Sequence, residues 1–333
     1  MTRTLCLLTI LHLLVDGVCG ATLAVYALSE PRMAPIIYYF GLYTLFAFGG
    51  QGFAGWCLDM RPRLLRPALA LAAVLLALGS IANLGIALQA TLLGIGNCLF
   101  HVAGGSYILR AYNTYTQLGL FVCSGAIGLG LGLNSIVGVP VFVVATLFFT
   151  VLLLWQMHSV PEISTKKDSN LSQTNASKLT LFSCALVLFL CIVLRGFGSG
   201  ALNSELVMLL PCTLAVGKFL GGLVCDQIGY KKTILLIFLL GFVSLQMQGL
   251  VPTLAFVLAC NMTMPLTLRL VHWYKPHYPG LMFGLAASCL VPGALYKELL
   301  NLPAGAILVL QFLSLAFAGY YLLRDKEDSH AEP

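Results

Sequence analysis

Long apolar runs recur along nearly the whole chain, and they constrain its fold more than any other feature. Residues of the set Ala, Val, Ile, Leu, Met, Phe, Trp, Tyr and Cys make up 59% of the 333 positions, whereas Asp, Glu, Lys and Arg make up 9%. Soluble domains carry roughly a quarter charged residues, so this chain has too few charges to cover a soluble surface. Helical runs of about 20 apolar residues cross about 30 Å of hydrocarbon. The sequence therefore predicts an all-α polytopic protein embedded in a lipid bilayer.

Twelve apolar runs are present, six on each side of a polar segment. They are Thr4–Leu28, Ile36–Leu58, Ala68–Leu88, Thr91–Leu109, Gln117–Ile136, Val139–Met157, Leu179–Ala201, Glu205–Cys225, Thr233–Leu250, Thr253–Leu270, Gly280–Lys297 and Ala304–Leu323. We predict an N-terminal six-helix bundle at 1–157, a linker at 158–178, a C-terminal six-helix bundle at 179–323 and a tail at 324–333. Because the linker is rich in Ser, Thr, Lys, Asp and Asn, we expect a flexible tether.

Basic residues are distributed unequally between the two sets of connecting loops. If the N-terminus is cytoplasmic, thirteen Lys and Arg residues lie on that side and only two, Arg32 and Lys297, lie on the other. Positive charge marks cytoplasmic loops, so we predict a cytoplasmic-membrane protein with both termini in the cytoplasm. The formal charge of +6 reflects this loop distribution, and we expect no nucleic-acid partner.

Motifs of soluble enzymes and metal sites are missing. The 11 cysteines form no Cys-x-x-Cys pair and lie mostly within apolar runs, which is typical of small packing residues. No Walker loop, His-Glu-x-x-His helix or Gly-x-Ser-x-Gly elbow is found, so nothing indicates ATP use or hydrolysis. We predict no cofactor, no metal site and no enzymatic activity.

A pattern of small residues, an aspartate and a basic turn occurs twice. Its aspartates, Asp59 and Asp226, are 167 positions apart and follow the second and the eighth run. Recurrence at half the chain length indicates two related halves, whose binding site lies between them. We expect the repeated turns and the nearby basic residues to form a cytoplasmic gate. Its predicted members are Gly55, Asp59, Arg61, Arg63, Arg110, Lys218, Gly222, Asp226, Lys231 and Arg269. An alternative to the gate is that these charges only orient the chain in the membrane. This role suits Arg66 and Lys232 better than the two aspartates.

Polar residues inside the runs are few, and each is costly in hydrocarbon. His12 and Asp16 lie one turn apart in the first run, and a mid-membrane carboxylate that gains and loses a proton suits proton coupling. Asn97 and His101 lie one turn apart in the fourth run, where His101 is placed to share a proton with Asp16. The alternative for each is a single hydrogen bond between helices.

Two further polar residues lie in the second half. Arg195 stays charged and requires an anion, either Asp16 or an anionic solute, unless it extends to the outer interface. Asn261 lies 164 positions after Asn97 and faces the same site by analogy, although plain packing is an equal alternative.

These features together resemble the major facilitator superfamily, whose loop motif reads Gly-x-x-x-Asp-Arg-x-Gly-Arg-Arg. The motifs around His12 and Asp16, around Asn97 and His101, and at Arg195 are similar to its fosmidomycin-resistance branch of drug exporters. The resemblance implies a monomeric secondary active transporter of a small organic solute. It further implies alternating access and proton-coupled efflux of a drug-like or anionic metabolite. Proton-coupled uptake is the first alternative, and an intramembrane enzyme or lipid scramblase is an alternative of another class.

Overall fold

The computed structural model describes residues 2–81, 84–157, 178–198, 208–293 and 302–328. Within these ranges the chain forms twelve helices and no strand, so the predicted all-α polytopic fold is confirmed. The helices are α1 Arg3–Ser29, α2 Met33–Met60, α3 Pro62–Gly79, α4 Ile86–Ala111, α5 Tyr115–Leu133, α6 Val139–Gln156, α7 Lys178–Gly198, α8 Leu209–Ile228, α9 Tyr230–Leu245, α10 Leu250–Tyr274, α11 Pro279–Ser288 and α12 Ala304–Asp328.

Ten of the helices in the described ranges are long and apolar enough to cross a membrane, and α9 and α11 are shorter. The predicted linker lies almost entirely outside the described residues, as do the predicted ends at Ala201, Glu205 and Lys297. The division into two six-helix bundles stays a prediction.

The turn between α3 and α4 corrects the predicted third and fourth runs. The third run was expected to reach Leu88, but α3 ends at Gly79 and α4 begins at Ile86. The Ser80 hydroxyl donates to the Leu76 carbonyl at 2.7 Å. Such a bond competes with continued helical bonding and helps to end the helix. Ile81, Leu84 and Gly85 therefore lie outside both helices.

Two other turns depend on glycine. Gly229, between α8 and α9, has φ +83, and Gly249, between α9 and α10, has φ +113. Side chains strongly disfavour these backbone conformations, so glycine allows a tight reversal at both positions. Helices α8, α9 and α10 therefore follow one another as antiparallel neighbours.

Helix α2 is irregular at its centre. A π-helical turn, Leu45–Gly49, separates its two α-helical parts, and such turns leave backbone groups without regular helical partners. The Ser288 hydroxyl at the end of α11 donates to the Phe48 carbonyl at 2.6 Å. The irregular turn is thereby joined to a helix of the predicted second half.

Glycines bring the helices close together where the two predicted halves meet. A Cβ at Gly55 or Gly284 would collide with backbone atoms across the α2–α11 contact, and one at Gly222 would collide with the Tyr115 carbonyl on α5. Gly125 and Gly128 likewise bring α5 onto α1. Small residues allow such close approach in membrane helices.

Several polar side chains lie inside the helix bundle, and many large apolar side chains face outward. His12, Asn97 and Arg195 are at most 4% exposed, whereas Trp155 on α6 and Val251 on α10 are 78% and 75% exposed. This distribution suits a protein whose outer surface contacts lipid. It places the polar groups where a site between helices can use them.

Candidate functional site

The central polar cluster consists of His12 and Asp16 on α1 and Asn97 and His101 on α4. A spacing of four residues places each pair on one helical face, and the packing turns the two faces toward each other. The side chains of His101 and Asp16 are 12% and 16% exposed, and that of His12 is 5% exposed. A Cβ at Gly125 of α5 would collide with the His12 ring and the Asp16 carboxylate, so only glycine leaves room for the cluster there.

Hydrogen bonds to backbone carbonyls fix both imidazole rings. His12 Nδ1 lies 2.7 Å from the Phe121 carbonyl oxygen, and His101 Nδ1 lies 2.9 Å from the Asn97 carbonyl oxygen. Because a carbonyl oxygen only accepts, each Nδ1 is the protonated nitrogen and donates. The two Nε2 atoms face each other at 2.9 Å. Two neutral rings in these tautomers would point lone pairs at each other, so this arrangement requires a proton or another cation between them.

The Asp16 carboxylate supplies the matching negative charge. Its Oδ1 lies 3.4 Å from His101 Nε2 and its Oδ2 lies 3.5 Å from His12 Nε2. The Asn97 side-chain amide donates to Oδ1 at 3.2 Å. A positive charge shared by the two rings is thus neutralised within the cluster, which lowers the cost of holding it in the membrane.

The linear spacing gave no sign of the metal-ligand geometry in this cluster. Sequence analysis predicted no metal site, but one nitrogen each from His12 and His101 and one oxygen from Asp16 lie within 4.8 Å of one another. Spacing along the chain does not show this group, because its members come from two helices that are far apart in the sequence. Within the described residues, His12, Asp16 and His101 form the group of three potential metal ligands whose ligand atoms lie within 4.8 Å of one another.

Lys218 was predicted at the cytoplasmic gate, but it lies near the central cluster. Its ammonium interacts electrostatically with Asp16 and His101, and also with Arg195 on α7. Lys218 precedes Asp226 by about two turns of α8, so its reach toward α1 follows from the packing of α5 between α1 and α8. The second predicted half therefore presents positive charge to the cluster.

The other two predicted site residues make different contacts from those expected. Arg195, 2% exposed, donates from Nη1 to the Thr267 hydroxyl on α10 at 3.1 Å. Among the described ion pairs Asp16 pairs with the two histidines, and not with Arg195. The Asn261 side chain donates to the Val257 carbonyl of its own helix at 2.9 Å, and it packs beside Gly217.

Asp59 joins α2 to α4 and to the start of α11. Its Oδ1 accepts from Arg110 Nη2 at 2.8 Å and from the Gly280 N–H at 3.0 Å, and its Oδ2 accepts from the Leu281 N–H at 2.8 Å. Gly280 and Leu281 lie in the first turn of α11, where free N–H groups and the helix dipole favour an anion. Gly55, one turn earlier, lets α2 approach this turn.

Asp226 makes the equivalent contact in the second half of the chain. It accepts from the Tyr115 N–H at 3.0 Å, the Thr116 N–H at 2.7 Å and the Thr116 hydroxyl at 2.5 Å, all in the first turn of α5. Arg269, fully buried, donates to the Thr114 carbonyl at 2.9 Å. Each repeated aspartate thus caps the fifth helix of the opposite predicted half, and this end of the bundle is held together in this conformation.

The remaining predicted gate residues lie on the surface. Arg61, Arg63 and Lys231 are exposed, which fits the alternative role of orienting the chain. Arg66, assigned to that role, instead donates to the Leu154 carbonyl of α6 at 2.8 Å.

Sequence analysis did not identify the groups that donate hydrogen bonds to Asp59 and Asp226, or the carbonyl that accepts one from the His12 ring. They are the backbone N–H groups that begin α5 and α11 and the Phe121 carbonyl, which carry no sequence signal. Thr267 was also missed, although a polar residue within the tenth run was a usable signal.

Comparisons with known proteins bear on the fold. No known family pattern matches the sequence, and no curated protein matches it. Solved structures do match. A single-residue variant of the fucose:proton symporter FucP of E. coli aligns over 97% of both chains with a TM-score of 0.66 and 11% identity. FucP in the outward conformation, described as a major facilitator superfamily transporter, aligns over 97% of this chain and 99% of its own, with a TM-score of 0.62 and 12% identity.

A bacterial homologue of the iron transporter ferroportin, in an outward-facing state, aligns over 98% of this chain and 100% of its own, with a TM-score of 0.57 and 11% identity. The chain therefore has the major facilitator fold. At these identities the likeness shows the fold alone, and the resemblance to the drug-exporter branch stays a prediction.

Proposed function

We propose that this chain is a secondary active transporter that exchanges protons for a small organic anion, with efflux as its working direction. It carries out no chemical transformation and works as a monomer in the cytoplasmic membrane, with both termini in the cytoplasm. Its two halves, 1–157 and 179–323, move against each other around the central cluster.

The paired imidazole rings of His12 and His101 carry this proposal. Their Nε2 atoms are 2.9 Å apart and both lie within 3.5 Å of an Asp16 oxygen. The cluster holds one proton between the rings and loses it when the charge balance around Asp16 changes. A proton held inside the membrane and exposed to each side in turn is what coupling to a proton gradient requires.

Positive charge from the second half supports an anionic solute. Lys218 and Arg195 lie close enough to interact, and Lys218 also reaches Asp16 and His101 electrostatically. Lys218 and Arg195 supply the attraction for an anion in either protonation state of the rings. Exchange further requires that the proton and the solute occupy the central cluster in turn, so that binding of one lowers the affinity for the other.

Asp59 and Asp226 support alternating access. Both carboxylates hold the start of a helix from the opposite half, so both contacts break when this end opens. Such paired contacts bias a two-state equilibrium between conformations. The gate is thus reduced to Asp59, Asp226 and the arginines Arg110 and Arg269.

A binding screen followed by transport in proteoliposomes tests the proposal. Thermal shift of the purified chain against organic anions and antibiotics, at two pH values, selects the solute. Accumulation is then measured with a proton gradient of either sign. Movement of the solute against the inward proton flow indicates efflux by exchange, and movement with it indicates uptake. Solute accumulation that is the same with a proton gradient of either sign, or without one, would contradict the proposal.

The anion preference has its own test. Arg195→Ala and Lys218→Ala are expected to weaken binding of the selected anion, whereas Lys232→Ala, an exposed lysine on α9, leaves it unchanged. Equal affinity in all three variants would show that the solute is recognised by other groups.

A further inference from the structure

We propose that His12, Asp16 and His101 form a binding site for one divalent transition-metal ion of the zinc class. The proposal concerns the cluster assigned above, but it does not rest on transport, because metal binding is measured without solute or gradient.

The distances between ligand atoms fit one metal ion. In a tetrahedral site with metal–nitrogen and metal–oxygen bonds of about 2.0–2.1 Å, neighbouring ligand atoms are about 3.3 Å apart. The two Nε2 atoms are 2.9 Å apart, Asp16 Oδ1 lies 3.4 Å from His101 Nε2, and Asp16 Oδ2 lies 3.5 Å from His12 Nε2. With a single carboxylate oxygen as the third ligand, the three ligand atoms lie within 4.8 Å of one another. Small shifts of the side chains therefore place all three ligands on one ion.

The surrounding hydrogen bonds orient the ligands as metal sites do. Metal-binding histidines usually donate their other ring nitrogen to a carbonyl or a carboxylate, which fixes the tautomer and the direction of the free nitrogen. Here Phe121 and Asn97 provide those carbonyls. The Asn97 amide also donates to Asp16, so the third ligand is oriented too. Two imidazoles and a carboxylate suit zinc and related ions.

Neighbouring titratable groups set limits on the affinity. Lys218 on α8 interacts electrostatically with Asp16 and His101, and its charge opposes a cation. The Cys19 thiol, 3.6 Å from the Asn97 amide nitrogen, and the Tyr43 hydroxyl beside Cys19 face the same region. Cys19 offers an alternative sulfur ligand, which the experiment below separates from the proposed site.

The test is zinc titration of the full chain in nanodiscs after chelator treatment, followed by calorimetry. One ion per chain is expected, with affinity at least about 100-fold weaker in His101→Asn. His277→Asn, which removes an exposed histidine after α10, is the matched control and should bind like the unmodified chain. X-ray absorption of the zinc-loaded protein should show nitrogen and oxygen ligands at about 2.0–2.1 Å and no sulfur at about 2.3 Å.

Two further variants keep the test decisive if His101→Asn folds poorly. Asn97→Ala retains all three ligands but leaves Asp16 unsupported, and should weaken binding about tenfold. Lys218→Met should tighten it by removing the opposing charge. Unchanged affinity in His101→Asn or in Asn97→Ala, or a sulfur ligand in the absorption spectrum, would overturn the proposal. Zinc binding without proton-driven transport would support the metal site and contradict the proposed function. Proton-driven transport without zinc binding would support the proposed function and contradict the metal site.

Discussion

Replacing Asp59 by asparagine is expected to weaken the contact between α2 and α11 and to favour opening of that end. Asp59 is 8% exposed and accepts from the Gly280 and Leu281 N–H groups at 3.0 and 2.8 Å. Its bond to Arg110 joins two helices of the same predicted half, so it persists when the halves separate. Of the bonds that Asp59 accepts, only the two from α11 therefore distinguish the closed end from the open end.

The magnitude follows from those two bonds. A hydrogen bond to a charged group contributes about 1.5–3 kcal/mol, and a charge in the first turn of a helix adds up to about 1 kcal/mol. Asparagine keeps one acceptor oxygen, so it loses one bond and the charge. The closed end is then destabilised by about 2–3 kcal/mol, which changes the ratio of closed to open protein by about 30- to 150-fold.

Hydrogen exchange of the chain in nanodiscs measures this change. The amides of Gly280 and Leu281 should exchange faster in Asp59→Asn, and those of Tyr115 and Thr116 should follow because the same end opens. Arg61→Gln, two residues away and exposed, is the matched control and should leave exchange unchanged. Equal exchange in Asp59→Asn and Arg61→Gln would refute the reasoning.

Other contacts give further predictions, each checked by the thermal unfolding of the purified chain. Gly222→Ala places a Cβ 2.8 Å from the Tyr115 carbonyl carbon and should destabilise the fold by about 1–3 kcal/mol. Gly41→Ala, whose Cβ would meet no atom within 4 Å, should not; equal loss in both would contradict the packing argument. Arg269→Gln removes a buried bond to the Thr114 carbonyl and should cost about 1–3 kcal/mol. An unchanged melting temperature would show that this bond contributes nothing.

Much of the fold could be predicted because membrane helices leave a strong compositional signal. The predicted sixth run, Val139–Met157, agrees with α6 within one residue at each end. The predicted start of the last run at Ala304 is also the first residue of α12. The turn after Ser80 was missed because Ile81 and Leu84 keep the stretch apolar on average, although Ser80, Asn83 and Gly85 are residue types that favour turns.

The candidate site was predictable only in part. A spacing of four residues is sufficient to pair His12 with Asp16 on one helical face, but it does not say which helix that face meets. The tautomers depend on backbone carbonyls, and every residue has one, so no sequence pattern identifies Phe121. The position of Lys218 likewise depends on the packing of α8 on α5, which brings a residue assigned to one end of the bundle near its centre.

Proton-driven transport by Asp16→Asn in proteoliposomes tests the central claim most directly. The experiment compares accumulation of the selected solute under a proton gradient with its exchange across the membrane without a gradient. We predict that Asp16→Asn abolishes accumulation and retains exchange, because the amide keeps the contact with Asn97 but cannot balance a proton on the imidazole rings. Accumulation equal to that of the unmodified chain, with the same dependence on pH, would contradict the assignment of the proton to this cluster.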